Sequence, residues 1–234
     1  MLTLASGLKV VFAAVLFGVI PCQALEFTLG AVEDTLVVSS EPNRQSYWLN
    51  GSLASRRQII AGAVNHEIWS FLKFELPPMA ANTWVQSAVF RGFYTGVSND
   101  LTHELATVVS DDWYETSVTW NNMPGIDEAG IATFKETNST LVGQPFELDV
   151  TDAAAREYFG DGLLTLVMRP AELNPILNRT HQIAFGSSNS SVGLAPALIL
   201  TIVPEPSTLA LVSIGIVALA WRRRAASRAN SPLE

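Results

Sequence analysis

Cysteine is almost absent: Cys22 is the only one in 234 residues, so no internal disulfide braces the fold. A domain of this length can build a sufficient core without one. Charge is also scarce, at 15% of residues, and mostly of one sign. Residues 25–205 carry nine Lys and Arg against 21 Asp and Glu, a net charge near −12. That balance argues against nucleic acid, whose binding rests on Lys and Arg neutralising phosphates, and makes bare polyanionic glycans awkward partners. Histidine is limited to His66, His103 and His181. His66-Glu67 has no second His at helical spacing, so the zinc-protease pattern is missing, and no nucleophile elbow or phosphate-binding loop occurs. Asp111 and Asp112 are adjacent and would point to opposite faces of a strand, which does not make a glycosidase pair. No enzyme is expected.

Long apolar runs occur only at the two ends. Lys9, the apolar run from Val10 to Ile20, Pro21 and the small-residue site Cys22-Gln23-Ala24 form a secretory signal peptide over residues 1–24, with cleavage after Ala24. A lipidated Cys22 fits less well, because Val19-Ile20-Pro21 lacks small residues before it. At the other end Leu209 to Trp221 is apolar and is followed by Arg222, Arg223 and Arg224. The run is shorter than the roughly 20 residues of a comfortable span. The arginines place residues 225–234 in the cytoplasm by the positive-inside rule.

Between these ends, residues 25–202 read as one all-β domain rich in Thr, Ser, Asn, Gly and Pro. Strands are expected at Asp34–Ser39, Glu67–Leu76, Thr83–Tyr94, Leu101–Val109, Ile131–Phe134, Phe146–Val150, Leu163–Met168, His181–Phe185 and Ala197–Val203. The turn-prone Gly96 to Asp100 and a loop from Asn121 to Gly130 separate some of them. One short helix is expected from Asp152 to Phe159, capped by Thr151, held by Ala155, Tyr158 and Phe159, and stopped by Gly160. Many short strands with long loops imply an antiparallel β-sandwich of jelly-roll type.

The most informative stretch runs from Trp113 to Pro124. Its β-branched residues predict a strand buried between layers, closed by the turn residues Asn121-Asn122-Met123-Pro124, with the tryptophans packed in the core. The pattern Trp113, Glu115, Val118, Thr119, Trp120, Asn121, Asn122 and Pro124 resembles the heart of the DNRLRE domain family, which overlaps carbohydrate-binding module family 96, a group of secreted β-sandwich modules. Phe71 to Leu76, Val85 to Arg91, Asp149-Val150-Thr151, Phe185 to Ser188 and Pro196 to Leu198 resemble further strands of that family. The resemblance spans about Asp34 to Ile202. Glu75 stands where Asp is usual, and Gly92 where a Leu is usual, so a gap or bulge is expected at Gly92.

A second resemblance covers Val203 to Arg224. Pro204-Glu205-Pro206, the apolar run and the three arginines resemble the PEP-CTERM sorting signal, in which that tripeptide is read by an exosortase. A plain membrane anchor is the other reading, and both put the domain outside.

Two functions follow. The family resemblance implies a non-catalytic module that binds extracellular polysaccharide. The other reading is a structural spacer of the cell envelope or biofilm matrix. Sugar rings stack on exposed aromatics, and Tyr47, Trp48 and Trp69 are the candidates. Asp149 and Asp152, flanking Thr151, and Asp127-Glu128 in the long loop offer hard oxygens for a structural calcium. Helix-end electrostatics and solvation account for the same residues.

Overall fold

The computed structural model describes residues 23–45, 51–60, 63–98, 102–135, 141–171, 180–190 and 193–205, with Gly215, Ile216 and Leu219. In chain order the elements are β1 (Leu25–Gly30), β2 (Glu33–Val38), β3 (Ser52–Ile60), β4 (Ala63–Glu75), β5 (Thr83–Ser98), β6 (Thr102–Val108), β7 (Ile126–Lys135), β8 (Pro145–Asp149), α1 (Thr151–Tyr158), β9 (Leu163–Pro170), β10 (Thr180–Gly186) and β11 (Ala197–Pro204). All strand pairings are antiparallel. They follow one another in the order β1-β11-β5-β10-β3-β4-β9-β6-β7, with β2 added to β4 and β8 to β5. The result is a curled antiparallel sheet, and the expected jelly-roll connectivity goes further than this pairing shows.

Two long strands make the curl. β5 pairs with β11 up to Arg91, with β8 from Val89 to Phe93, and with β10 from Tyr94 to Ser98. β4 pairs with β3 up to Ile68 and then with β2 and β9 on its two sides. Where β3 parts from β4, the buried Ser70 hydroxyl replaces the ladder: it accepts from the Ala54 N–H (2.8 Å) and donates to the Ala54 carbonyl (2.7 Å). Both backbone groups of Ala54 are thereby satisfied on this side.

The enclosed core is built by alternation. Leu72 and Phe74 of β4, Leu164 and Leu166 of β9, Phe185 of β10 and Leu198 and Leu200 of β11 point into it, all fully buried. Phe90 of β5 sits at the centre, edge-on to Phe74, Phe146 and Phe185 at 6.0–6.4 Å. Gly92 is neither a gap nor a bulge. It pairs in register with Phe146, whose ring lies so close that a Cβ on Gly92 would fall 2.4 Å from it. The aromatic ring fills the space a leucine would take.

The interior also holds polar groups. His103 bonds the Ser55 hydroxyl at 2.7 Å, and Arg57 pairs with Glu67 at 2.5 Å. Burial, then the nearby His181 and Arg57, push His103 down to about 3, so it is neutral at ordinary pH.

Several boundaries differ from the sequence reading. β1 and β3 are strands that it missed. β5 runs on through Gly96 to Ser98, and β7 begins at Ile126, inside the expected loop, with a bulge at Gly130 (φ 70°). The helix is capped by backbone alone: Val150 is its N-cap with no side-chain bond, while the Thr151 hydroxyl is engaged with Asp149 (2.6 Å) and the Ala88 N–H (2.9 Å). Ala153, Ala154 and Tyr158 hold it, and Phe159 is exposed. No helix among the described residues is long and apolar enough to cross a membrane. Residues 1–22 of the expected signal peptide, and most of the Leu209 to Trp221 run, lie outside the described residues.

Candidate functional site

The Trp113 to Pro124 stretch is not a strand. It is an irregular loop of turns laid over the outer face of β4, β9 and β6. Side chains that bond their own backbone make the turns preferable to a ladder here. The Asn122 Oδ1 accepts from the Thr119 N–H (2.6 Å) and Oγ1 (2.9 Å), and its amide nitrogen donates to the Ser117 carbonyl (3.1 Å). The Asn121 side chain donates to Asn43 (2.8 Å), and the Glu115 N–H donates to Glu33 (2.7 Å). Pro124 lies half-buried at the end of this loop.

Beneath the loop lies a second, smaller core. Trp113 is buried edge-on to Phe71 (5.8 Å) and donates Nε1–H to Thr165 (2.9 Å). Lys73 bonds the Trp113 carbonyl and stands 4.6 Å over its ring. The outer face of β4, which carries Trp69, Phe71 and Lys73, is thus covered. Trp120 is only half-buried, edge-on to Trp69 at 5.1 Å.

At the edge of this loop a groove of about 670 Å³ opens between residues 109–114 and the end of α1. Asp111, Glu157 and Asp161 meet in it, their carboxylate oxygens within 4.8 Å of one another. Burial pushes Asp111 up, a Thr165 hydrogen bond opposes this, and the Asp161 charge adds to it. Burial, then the charges of Asp111 and Asp161, push Glu157 up, with Arg156 opposing. Arg156 lies 3.6 Å from Glu157 and 3.0 Å from Glu128. Tyr114 forms the aromatic wall: it is 58% exposed, with Lys73 5.2 Å from its ring centre.

The sequence candidates fall elsewhere. Tyr47 and Trp48 lie outside the described residues. Trp69 is half-buried, with the Arg169 guanidinium 4.9 Å over its ring and Nε1–H directed at Glu67 (3.3 Å). Asp149 accepts from the Thr151 N–H (2.9 Å) and hydroxyl, which holds it below the usual carboxylate range. Asp152 is exposed in the first turn of α1. These two start the helix, and the carboxylates that converge are other ones. Asp111, Glu157 and Asp161 are up to 50 positions apart, so no local spacing announces them. Pro204 ends β11 and the Glu205 N–H donates to the Asn82 carbonyl (2.6 Å). Pro206, Arg222, Arg223 and Arg224 lie outside the described residues.

Residues 203–224 match the PEP-CTERM protein-sorting motif, which implies export and exosortase-dependent sorting. No curated protein matches the chain. Residues 26–202 match carbohydrate-binding module family 96, and the chain belongs to that family.

Proposed function

We propose that the protein is an exported, surface- or matrix-associated module that binds extracellular polysaccharide without acting on it, and that the groove beside Tyr114 takes the glycan. The family points to a carbohydrate ligand and a non-catalytic role. The observation that carries the location is the exposed Tyr114 ring, which borders a groove where Asp111, Glu157, Asp161, Arg156 and Lys73 converge. An aromatic wall stacks on sugar C–H faces, and a mixed set of donors and acceptors fixes hydroxyls. Trp84 (44% exposed) and Phe159 (56%) are also open to solvent, but neither borders this groove. With a net charge near −12 over residues 25–205, the ligand class is a neutral glycan. Calcium enters this reading only as a bridge to an anionic one.

Affinity electrophoresis of the mature protein in polysaccharide gels tests this. Retardation in a neutral polysaccharide, insensitive to salt and chelator and lost in Tyr114→Ala, is the expected result. Retardation only in an acidic gel, abolished by chelator, would assign the calcium bridge. No retardation in any gel would leave the spacer role, and release of shortened oligosaccharides would make the protein an enzyme.

A further inference from the structure

The sorting motif begins inside the folded domain. Pro204 is the last residue of β11, in register with Thr83 of β5, one rung beyond the pair Val203 and Trp84. Glu205 continues that register, its N–H donating to the Asn82 carbonyl at 2.6 Å. Asn82 is the one non-glycine residue in the left-handed region among the described residues, at φ 58°, in the turn that leads into β5. The turn is pinned from its other side by α1. The Thr83 hydroxyl donates to the Ala80 carbonyl (2.6 Å) and lies 2.9 Å from the Tyr158 hydroxyl, which also accepts from the Ala80 N–H (3.3 Å). Tyr158 is itself buried in the core. Two of the three residues of Pro204-Glu205-Pro206 are therefore tied through Asn82 and Thr83 to the interior.

An enzyme that reads an extended peptide needs its backbone groups free. The Glu205 N–H cannot donate to Asn82 and to an enzyme at once. We propose that the domain gates its own sorting: the exosortase engages Pro204-Glu205-Pro206 only after the last rungs of β11 have opened. This rests on the reading of residues 203–224 as a sorting signal. Terminal rungs open locally without global unfolding, and only the open fraction is competent to bind. The closed end of β11 thus slows processing by the inverse of that fraction, and whatever loosens the turn at Asn82 speeds it.

The test is a pulse-chase of the full-length precursor in an exosortase-containing bacterium, with the mature C-terminus identified by mass spectrometry. A four-residue Gly-Ser insert between Val203 and Pro204 takes the tripeptide off the ladder. It should speed processing roughly five- to thirty-fold, the factor that opening one or two kcal/mol of structure represents. The same insert between Ser207 and Thr208 lengthens the chain without freeing Pro204 and should leave the rate unchanged. Tyr158→Phe, which keeps the ring and removes the hydroxyl, should give a smaller acceleration. Equal rates for wild type and the Val203 insert would overturn the gate and leave the sorting reading intact. No processing of either form would overturn the sorting reading and the gate with it. Hydrogen exchange supplies the second readout: the Glu205 amide of the full chain should be protected, and exchange at the rate of an unstructured peptide would contradict the proposal.

Discussion

The two faces of β4 are buried by different means. Its inner face, with Ile68, Leu72 and Phe74, packs against other strands of the curled sheet. Its outer face, with Trp69, Phe71 and Lys73, is covered by a loop that contributes Trp113, Val118 and Trp120. The inner cluster follows from period-two alternation, which strands impose on any sequence. The outer one depends on a specific set of side-chain to backbone bonds that hold an irregular chain in place. Asn122 and Thr119 shape the loop, and Trp113 is its anchor. This arrangement also places the groove, because the same loop carries Asp111 and Tyr114 to its rim.

If this contrast is right, removing the anchor should hurt as much as a change in the main core. Trp113→Ala should cost about 3–5 kcal/mol in chemical denaturation, the range for a buried aromatic. A loss below about 1 kcal/mol would mean that the loop is not a second core. The inner region has a different weakness. His103 has its folded-state value lowered to about 3 by burial, against an ordinary value of 6.5. Its contribution is therefore complete above pH 6.5 and is lost as pH falls from there toward 3, because the unfolded chain takes up the proton first. The loss should be on the order of 5 kcal/mol, and His103→Gln should flatten that limb of the pH–stability curve.

Smaller effects separate the groove from both cores. Trp120→Ala should cost only about 1–2 kcal/mol, well below Trp113→Ala, because its ring is half-buried. Equal losses would mean that Trp120 anchors the loop as firmly. Asp111→Asn should stabilise the protein at neutral pH, because burial, and after it the Asp161 charge, disfavour the ionised carboxyl. A raised carboxyl contributes stability that is complete below its unfolded value and lost as pH rises through its folded one. The gain should accordingly vanish below about pH 4. A gain that persists there would show a packing effect instead.

How much of this was legible depended on which kind of burial was at work. β4 was readable from its alternation, and β5, β9 and β11 as short apolar runs bounded by turn residues. β3 was not, because Arg56-Arg57-Gln58 reads as a solvated stretch, yet Arg57 is buried against Glu67. β1 alternates too, in Leu25-Glu26-Phe27-Thr28-Leu29, but a single short strand next to a long apolar run is not distinct in the sequence. The loop of the second core was misread as a strand since Thr, Ser and Val favour extended backbone. The same hydroxyls, with Asn122, can bond locally, and that choice is not visible in propensity. The sandwich-module family was readable from the motif. The groove was not, because Asp111, Glu157 and Asp161 reach it from the loop after β6 and from both sides of the turn that follows α1. Trp69 was readable as an aromatic of β4, but its half-buried place beneath Arg169 and beside Trp120 was not.

The glycan assignment is most directly tested by titration calorimetry of the mature wild type, Tyr114→Ala and Trp69→Ala with oligosaccharides from a polymer that retards the protein. Tyr114→Ala should weaken binding at least tenfold, about 1.4 kcal/mol, with its fold intact by circular dichroism, while Trp69→Ala should stay within about twofold of wild type. Undiminished binding by Tyr114→Ala together with its loss in Trp69→Ala would contradict the account and put the sugar on the outer face of β4.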